Sequence, residues 1–167
     1  MANDPFDRDS WEQRWAQALG EHSDKVASRP PNTHPLTETA NLQPGLAFDA
    51  GCGHGAEAMW LAASGWRVTA VDFSVTALEH ARSTAQAIGA DVAERIQWVE
   101  GDLGNWTPPL RCFDLVSCLF VHVGWIGGRD GDSPRYRRRA RGTLSWSATL
   151  LWTPRTASQR QLRDRRR

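Results

Sequence analysis

The most constraining feature of the sequence is a short apolar run that ends in three closely spaced glycines. Residues 46–50 read Leu-Ala-Phe-Asp-Ala, and residues 51–55 read Gly-Cys-Gly-His-Gly. The apolar run predicts a buried strand. The glycines allow a sharp turn into a helix and let a ligand lie against the backbone without an intervening Cβ. The free N–H groups that open such a helix suit a carboxylate or a phosphate. By itself the loop fits a dinucleotide, another nucleoside ligand or a plain tight turn.

Strands and helices alternate through the region that follows this loop. Runs rich in apolar and β-branched residues predict strands at 66–71, 96–99 and 113–123. Helical spacing of apolar residues predicts helices at 57–64 and 75–88, the second capped by the serine that precedes it. This alternation implies right-handed βαβ units and therefore an α/β fold with a doubly wound, mainly parallel sheet.

The residues before the first strand divide into a helix and a loop. Residues 10–19 are predicted to be a helix, with Ser10 and Gln13 as a capping box and a stripe formed by Trp11, Trp15 and Leu19. Residues 20–45 contain four prolines and are predicted to be a surface loop.

Three aspartates narrow the choice of ligand for the glycine loop. Asp72 ends the second predicted strand, where a carboxylate can accept the hydroxyls of a ribose. Asp49 lies two residues before the first glycine, where it would repel a pyrophosphate but could orient an ammonium group. Asp102 follows the third strand, where it could accept from an adenine amino group. A ligand with an adenosine end and a zwitterionic amino-acid end meets all three acids, and S-adenosylmethionine is such a ligand.

Four motifs, in order, resemble those of a known enzyme family. Asp49–Gly55, Val71–Ser74, Gly101–Leu103 and Phe113–Ser117 are similar to motifs I to IV of class I S-adenosylmethionine-dependent methyltransferases. The residues that flank these motifs, and the opening Trp-Glu-Gln-Arg-Trp, resemble sequences of the small-molecule branch related to thiopurine and tellurite methyltransferases. The resemblance covers roughly residues 10–124 and implies a Rossmann-like fold that transfers a methyl group to a small-molecule acceptor.

The resemblance also implies which residues bind the cofactor. The glycines would contact the methionine part, Asp72 the ribose, and Asp102 with the Leu103 backbone the adenine. Asp114, by contrast, is interpreted as a residue that begins its strand. The expected cofactor-binding residues are Asp49, Gly51, Gly53, Gly55, Asp72, Phe73, Asp102 and Leu103.

Methyl transfer from a sulfonium needs no metal and no protein nucleophile, because orientation supplies much of the rate. We therefore expect no metal site and assign no catalytic residue. His122 is a candidate for the acceptor pocket, since it lies at the carboxyl end of the fourth strand. Trp11 and Trp15 form either part of a lid over the cofactor or a simple helix–sheet contact. Residues 29–34 resemble the substrate-access loop of the same branch, and Cys52 and His54 are expected to shape the glycine loop.

The charge of the chain is divided between its two parts. Residues 1–124 carry 8 basic and 16 acidic side chains, whereas residues 125–167 carry 12 arginines and 3 aspartates. After about Gly124 the regular alternation stops, and only 143–152 resembles a strand. We therefore expect three parts: an N-terminal lid and access segment (1–45), an S-adenosylmethionine-binding core (46–124) and an Arg-rich, poorly ordered tail (125–167).

The tail has two competing interpretations. The first is a shift of reading frame between about 124 and 129, which would leave the sheet incomplete after its fourth strand. One alternative frame of residues 143–152 resembles the fifth strand of the family. The second is a basic arm that binds nucleic acid, which we regard as the weaker hypothesis because the tail has no lysine.

Composition limits the cellular setting. The three cysteines have no metal-ligand spacing and fit reduced thiols. No apolar segment is long enough to cross a membrane, and the N-terminus lacks the apolar stretch of a signal peptide. We therefore expect a cytoplasmic protein. Two other functions stay open: an NAD(P)-dependent oxidoreductase, and a non-catalytic nucleotide- or nucleic-acid-binding fragment.

Overall fold

The computed structural model describes residues 8–33, 39, 41–103, 113–119 and 149–152. The described helices and strands are numbered here in chain order. They are α1 (Arg8–Ala27), β1 (Leu46–Ala50), α2 (Ala56–Ala63), β2 (Arg67–Asp72), α3 (Val75–Ile88), α4 (Ala90–Ala93), β3 (Ile96–Glu100), β4 (Leu115–Cys118) and β5 (Thr149–Trp152).

The strands form one sheet in the order β3-β2-β1-β4-β5. The first four are parallel, with β1 between β2 and β4. Because these strands are parallel, the carboxyl ends of β1, β2 and β3 lie at one edge of the sheet. In open α/β sheets, ligands bind at such an edge. The predicted α/β fold with a mainly parallel sheet is confirmed.

Apolar side chains lie on both faces of this sheet. Ala47, Val68 and Ala70 face a larger cluster built with α2, α3 and α4, in which Trp66 is 2% exposed. On the other face Phe48, Ala50 and Val71 pack together, and the Phe48 ring stacks on Phe113 with centroids 5.2 Å apart. The buried strand predicted from the apolar run at 46–50 is therefore confirmed, with both faces covered.

Asp114 joins the starts of β1 and β4. Its carboxylate Oδ2 accepts a hydrogen bond from the Leu46 N–H at 2.9 Å, and its own N–H donates to the Leu46 carbonyl at 2.7 Å. The residue therefore lies at the amino end of the sheet, opposite the edge formed by the glycine loop. Its interpretation as a residue that begins its strand is confirmed.

The N-terminal helix is longer than predicted. It begins at Arg8 and ends at Ala27, with a non-helical residue at His22 (φ −147°, ψ 39°). Ser10 is therefore inside the helix and is not its N-cap, and the prediction of a loop from residue 20 is wrong for 20–27. Val26, 1% exposed, explains the extension, because its burial anchors the last turn.

Smaller differences affect the other elements. The second strand is shifted by one residue to 67–72, and the first core helix likewise to 56–63. Ser74 caps α3 as predicted, since its Oγ accepts from the Ala77 N–H at 3.1 Å. The fourth strand is described only over 115–118, and residues 120–123 of its predicted span lie outside the described residues.

A fifth strand lies within residues 143–152, the part of the tail whose sequence resembles a strand. Residues 149–152 pair with β4 in the antiparallel direction, with Leu115 opposite Trp152. The described sheet therefore continues past β4, although not with the parallel direction that a further βαβ unit gives.

Candidate functional site

The glycine loop joins β1 to α2 and is pinned to the end of β2. The N–H groups of Gly51 and Cys52 both donate to the Val71 carbonyl, at 2.8 and 3.0 Å. Gly53 and Gly55 have φ values of +51° and +78°, in the left-handed region that only glycine enters without strain. Gly55 also begins α2 without a side-chain cap, so the first N–H groups of this helix face the loop.

Asp72 holds the loop in this shape. Its Oδ2 accepts from the Gly53 N–H at 2.8 Å, and its Oδ1 accepts from the Ser74 N–H at 2.9 Å. Burial raises the pKa of this carboxyl, and the two hydrogen bonds oppose the rise. Each carboxylate oxygen has a second lone pair, so Asp72 can still accept hydrogen bonds from ribose hydroxyls, as the sequence predicts.

Asp49 lies beneath the loop in very different surroundings. The side chain is 3% exposed, and its Oδ2 has no hydrogen-bond partner within the described part of the chain. Burial, with Glu57 and Asp72 nearby, raises the pKa of Asp49 to about 8. The neighbouring Ser117 hydroxyl lies close enough to oppose this rise without completing a hydrogen bond. Asp49 is thus a buried acid without a positive partner among the described residues.

The turn after β3 brings the third aspartate to the same edge. The Gly101 N–H donates to the Asp72 carbonyl at 2.9 Å, which ties this turn to the end of β2. Asp102 is exposed, whereas Leu103 is half-buried and packs against the cluster around Phe48 and Val71. Phe73 is half-buried between Asp72 and Ser74. The predicted cofactor residues therefore lie on the ends of three adjacent strands.

Helix α1 lies across this edge and contacts all three strand ends. Arg8 forms an ion pair with Glu100 at the end of β3. Glu12 accepts a hydrogen bond from the Val75 N–H at 2.6 Å, just past β2. The Trp15 ring rests on the glycine loop after β1, where a Cβ on Gly53 would lie 2.9 Å from it.

The spacing of these contacts follows from helix geometry. The three residues lie at i, i+4 and i+7, which is one face of a helix. Seven residues rise about 10.5 Å, and two steps between neighbouring strands are about 9.6 Å. Each strand end therefore meets one side chain of α1.

Trp15 contacts the glycine loop directly. Its ring also lies 5.9 Å from that of His54, at an angle of 40°. Trp11 is half-buried, with the Arg14 guanidinium 4.9 Å from its ring centre. Of the two tryptophans predicted as a lid or as a helix–sheet contact, Trp15 is the one that covers the glycine loop.

The segment predicted to admit substrate is held beside this loop. The Asn32 N–H donates to Oε1 of Glu57, in the first turn of α2, at 2.9 Å. Arg29 is near enough to His54 to help lower the pKa of that imidazole, although burial is the main cause. Of this segment, residues 29–33 are described, whereas His34 and the acceptor-pocket candidate His122 lie outside the described residues.

Cys52 lies in the loop as a buried free thiol. Burial, together with the charges of Asp49, Asp72 and Glu57, raises its pKa well above the ordinary value. The thiol is therefore neutral and unsuited to nucleophilic attack, since the thiolate is the reactive form. This agrees with the prediction that Cys52 shapes the loop.

Sequence reasoning missed four residues of this site. Arg8 and Glu12 are ordinary helix-surface residues in the sequence, and only the position of α1 gives them a role. Trp98 on β3 closes the loop from another side, because a Cβ on Gly55 would lie 2.5 Å from its ring. Ser117 lies in the motif-like segment Phe113–Ser117, but only the strand register gives it a role, since it is the β4 partner of Asp49.

The described residues hold neither a candidate metal cluster nor a candidate membrane span. Within them, no group of three or more histidine, cysteine or acidic side chains is arranged to hold a metal ion. No described helix combines the length and the hydropathy needed to cross a membrane.

Comparison with protein families gives a match, and comparison with solved structures gives many. The family described as "Methyltransferase domain" matches residues 47–132, slightly more than half of the chain. A structure from Methanococcus maripaludis, provisionally named as an S-adenosyl-L-methionine-dependent methyltransferase, aligns with a TM-score of 0.50 and 20% identity, covering 72% of this chain and 53% of its own. This similarity supports the fold.

Two further structures are less similar overall. Magnesium protoporphyrin IX methyltransferase from Synechocystis PCC 6803, with bound SAH, is 25% identical over 72% of this chain and 49% of its own, with a TM-score of 0.44. A glycopeptide N-methyltransferase complexed with sinefungin is 26% identical over 55% of this chain and 37% of its own, with a TM-score of 0.47. The chain thus spans between about a third and a half of the length of these proteins. No curated protein matches.

Proposed function

The chain belongs to the methyltransferase-domain family, and on that premise we propose that it binds S-adenosyl-L-methionine across the carboxyl ends of β1, β2 and β3. The proposed activity is transfer of the methyl group to a small-molecule acceptor. The observation that carries this proposal is the set of carboxylates around the glycine loop. Asp49, Asp72 and Glu57 all raise the pKa of Cys52 within it. Such surroundings favour a cation and disfavour the pyrophosphate of NAD.

The residues present fit the two ends of this cofactor. The uncapped N–H groups at the start of α2 suit its carboxylate, and Asp49 beneath them suits its ammonium group. Asp72 would accept the ribose hydroxyls while it holds Gly53, with Phe73 beside it. Asp102 and the Leu103 backbone would receive the adenine.

The bound cofactor would supply a methyl group on a sulfonium, with a neutral thioether as the leaving group when an acceptor bonds to the methyl carbon in line and the methyl–sulfur bond breaks. The part played by the chain is to hold cofactor and acceptor in that line and to exclude water. We propose that α1 performs the second task as a lid, with Trp15 over the loop and Glu12 at the start of α3. Residues 29–34 and His122 would border the acceptor.

We also propose that the acceptor belongs to the thiopurine or tellurite class, because the residues around the motifs resemble those of that branch. In addition, we propose that the protein acts in the cytoplasm. The lid and access segment would be residues 1–45, the cofactor core residues 46–124 and the tail residues 125–167. We further propose that the chain leaves its ancestral reading frame between about Gly124 and Arg129, because the composition becomes Arg-rich there. Sequencing an intact related gene tests this, because an Arg-rich ending kept in frame would contradict it.

Calorimetric titration with S-adenosylhomocysteine and with NADH tests the cofactor. We expect the first to bind and the second not to bind. Tight NADH binding without S-adenosylhomocysteine binding would reverse the assignment.

The ribose contact is tested by Asp72→Ala, for which we expect at least a tenfold loss of S-adenosylhomocysteine affinity. The physical reason is that hydrogen bonds to a charged group contribute about 1.5–3 kcal/mol each. The matched control is Glu79→Ala, an exposed acid on α3 that should leave binding unchanged. Because Asp72 also holds Gly53, near-UV circular dichroism must show that the variant is folded. Unchanged affinity in a folded variant would refute the ribose contact.

A further inference from the structure

We propose that Asp49 carries a proton in the unliganded protein and loses it when the ammonium group of the ligand binds against the glycine loop. Ligand binding is then coupled to the release of a proton. The identity of the ligand rests on the proposed function, whereas the coupling rests on the surroundings of Asp49.

The first line of support is geometric. Asp49 is the fourth residue of β1, paired with Ala70 on one side and Ser117 on the other. It is 3% exposed, and in the described part of the chain neither its Oδ2 nor the Ser117 Oγ has a hydrogen-bond partner. A buried carboxylate oxygen without a hydrogen-bond donor disfavours the charged form of the acid relative to the neutral form.

The second line of support is electrostatic. The charged groups that act on Asp49 within the described residues are Glu57, from the first turn of α2, and Asp72, at the end of β2. Both are acids, and both disfavour a further negative charge. The thiols of Cys52 and Cys118 nearby have raised pKa values and stay neutral. The pKa of Asp49 is correspondingly about 8, so about nine in ten molecules hold the proton at pH 7.

A cation against the loop reverses this preference. A unit positive charge roughly 7 Å away, at an effective dielectric constant of about 20, lowers a carboxyl pKa by between one and two units. This change carries Asp49 from mostly protonated to mostly ionised at pH 7. The proton leaves to the solvent, and the carboxylate that remains becomes the counter-charge of the ligand's ammonium group.

Calorimetry in buffers of different ionisation heat measures this proton directly. At pH 7 we expect S-adenosylhomocysteine binding to release between about 0.4 and about 0.8 proton per ligand. Asp49→Asn, which imitates the neutral acid, should bind with no release. Glu94→Gln, an exposed acid after α4, should release as much as the unmodified protein. 5′-Methylthioadenosine, which lacks the ammonium group, should bind without release.

A second measurement serves if Asp49→Asn does not fold. Because the proton is released on binding, the affinity of the unmodified protein for S-adenosylhomocysteine should rise with pH, by about two- to fivefold from pH 6 to pH 7. The affinity for 5′-methylthioadenosine should stay constant over this range.

The outcomes separate this inference from the function on which it rests. Binding of S-adenosylhomocysteine with no proton release, or with equal release in Asp49→Asn, overturns the coupling and leaves the cofactor assignment intact. Failure of S-adenosylhomocysteine to bind the folded protein overturns both.

Discussion

Two buried aspartates at neighbouring strand ends show how local hydrogen bonds decide the cost of a charge. Asp72 accepts two backbone N–H groups, and these offset part of its burial. Asp49 lies one strand away, and its Oδ2 accepts none within the described residues. Asp72 is therefore suited to organise the loop, whereas Asp49 stores unfavourable free energy that a cation can relieve.

This difference predicts how stability depends on pH. The pKa of Asp49 is about 8 in the folded protein and 3.8 as an ordinary side chain, so the folded state binds the proton more tightly. The stabilisation is complete below about pH 4 and is lost as the pH rises through 8. We expect the free energy of unfolding of the unmodified protein to fall relative to that of Asp49→Asn between pH 4 and pH 8.

Urea denaturation at a series of pH values measures this trend. Asp72 has a raised pKa as well, and its contribution, which is common to both proteins, cancels in the comparison. A constant difference between the two proteins across the range would show that Asp49 is ionised in the folded state.

A pair of glycines provides a second prediction at this scale. Gly55→Ala places a Cβ 2.5 Å from the Trp98 ring at a residue with φ of +78°. Left-handed strain and overpacking together should cost about 2–5 kcal/mol of stability. Gly20→Ala is the matched control, because a Cβ there meets nothing within 4 Å in helix α1 and should stabilise by about 0.5–1 kcal/mol. Equal effects in chemical denaturation would contradict the close packing of Trp98.

At the scale of elements, α1 is held to the sheet edge by contacts of unequal strength. The Arg8–Glu100 pair is about half exposed at both ends, so solvent screens it. Trp15 packs on the glycine loop, and Glu12 satisfies an N–H at the start of α3. The break in helical geometry at His22 separates this part of α1 from the turn anchored by Val26. We therefore expect residues 8–21 to move about the break while the anchor stays in place.

Hydrogen–deuterium exchange tests this hinged arrangement. We expect Trp15→Ala to raise the exchange of amides in 8–21 by at least tenfold, while those around Val26 change little. Loss of a packed tryptophan costs several kcal/mol when it is fully buried and less at this half-buried position. Gln17→Ala, an exposed residue of the same helix, is the control. Uniform exchange along α1 in the Trp15 variant would argue against a hinge.

The sequence predicted the core elements better than their surroundings, for physical reasons. β1 and α3 are encoded locally, by an apolar run before the glycines and by the Ser74 cap with its apolar period. The last turns of α1 depend on burial of Val26, a tertiary contact that no local pattern contains. The same holds for the site. Its glycines and aspartates can be recognised from the sequence, whereas the role of Glu12 follows only from the position of α1 across the sheet edge.

At the scale of the whole molecule, the described sheet ends in a strand drawn from a segment of different composition. Residues 1–124 are acidic overall and residues 125–167 are strongly basic, yet 149–152 supplies the hydrogen bonds of the outer edge of β4. An unpaired edge of an apolar parallel strand is prone to pair with another chain. The basic segment thus contributes backbone hydrogen bonds to the sheet, and this contribution does not depend on the charge of its arginines.

Two truncations separate pairing from charge. Removal of 125–167 deletes β5, so β4 loses its partner, and we expect concentration-dependent aggregation in light scattering. Removal of 153–167 alone keeps β5 and deletes 6 arginines and 1 aspartate. This shorter truncation should stay monodisperse and unfold at the same urea concentration as the full chain. Any salt-sensitive binding to nucleic acid, by contrast, should weaken in both truncations, because it follows positive charge and not strand pairing. If the 125–167 deletion stayed monodisperse as well, the β4–β5 pairing would not be what protects this edge of the sheet.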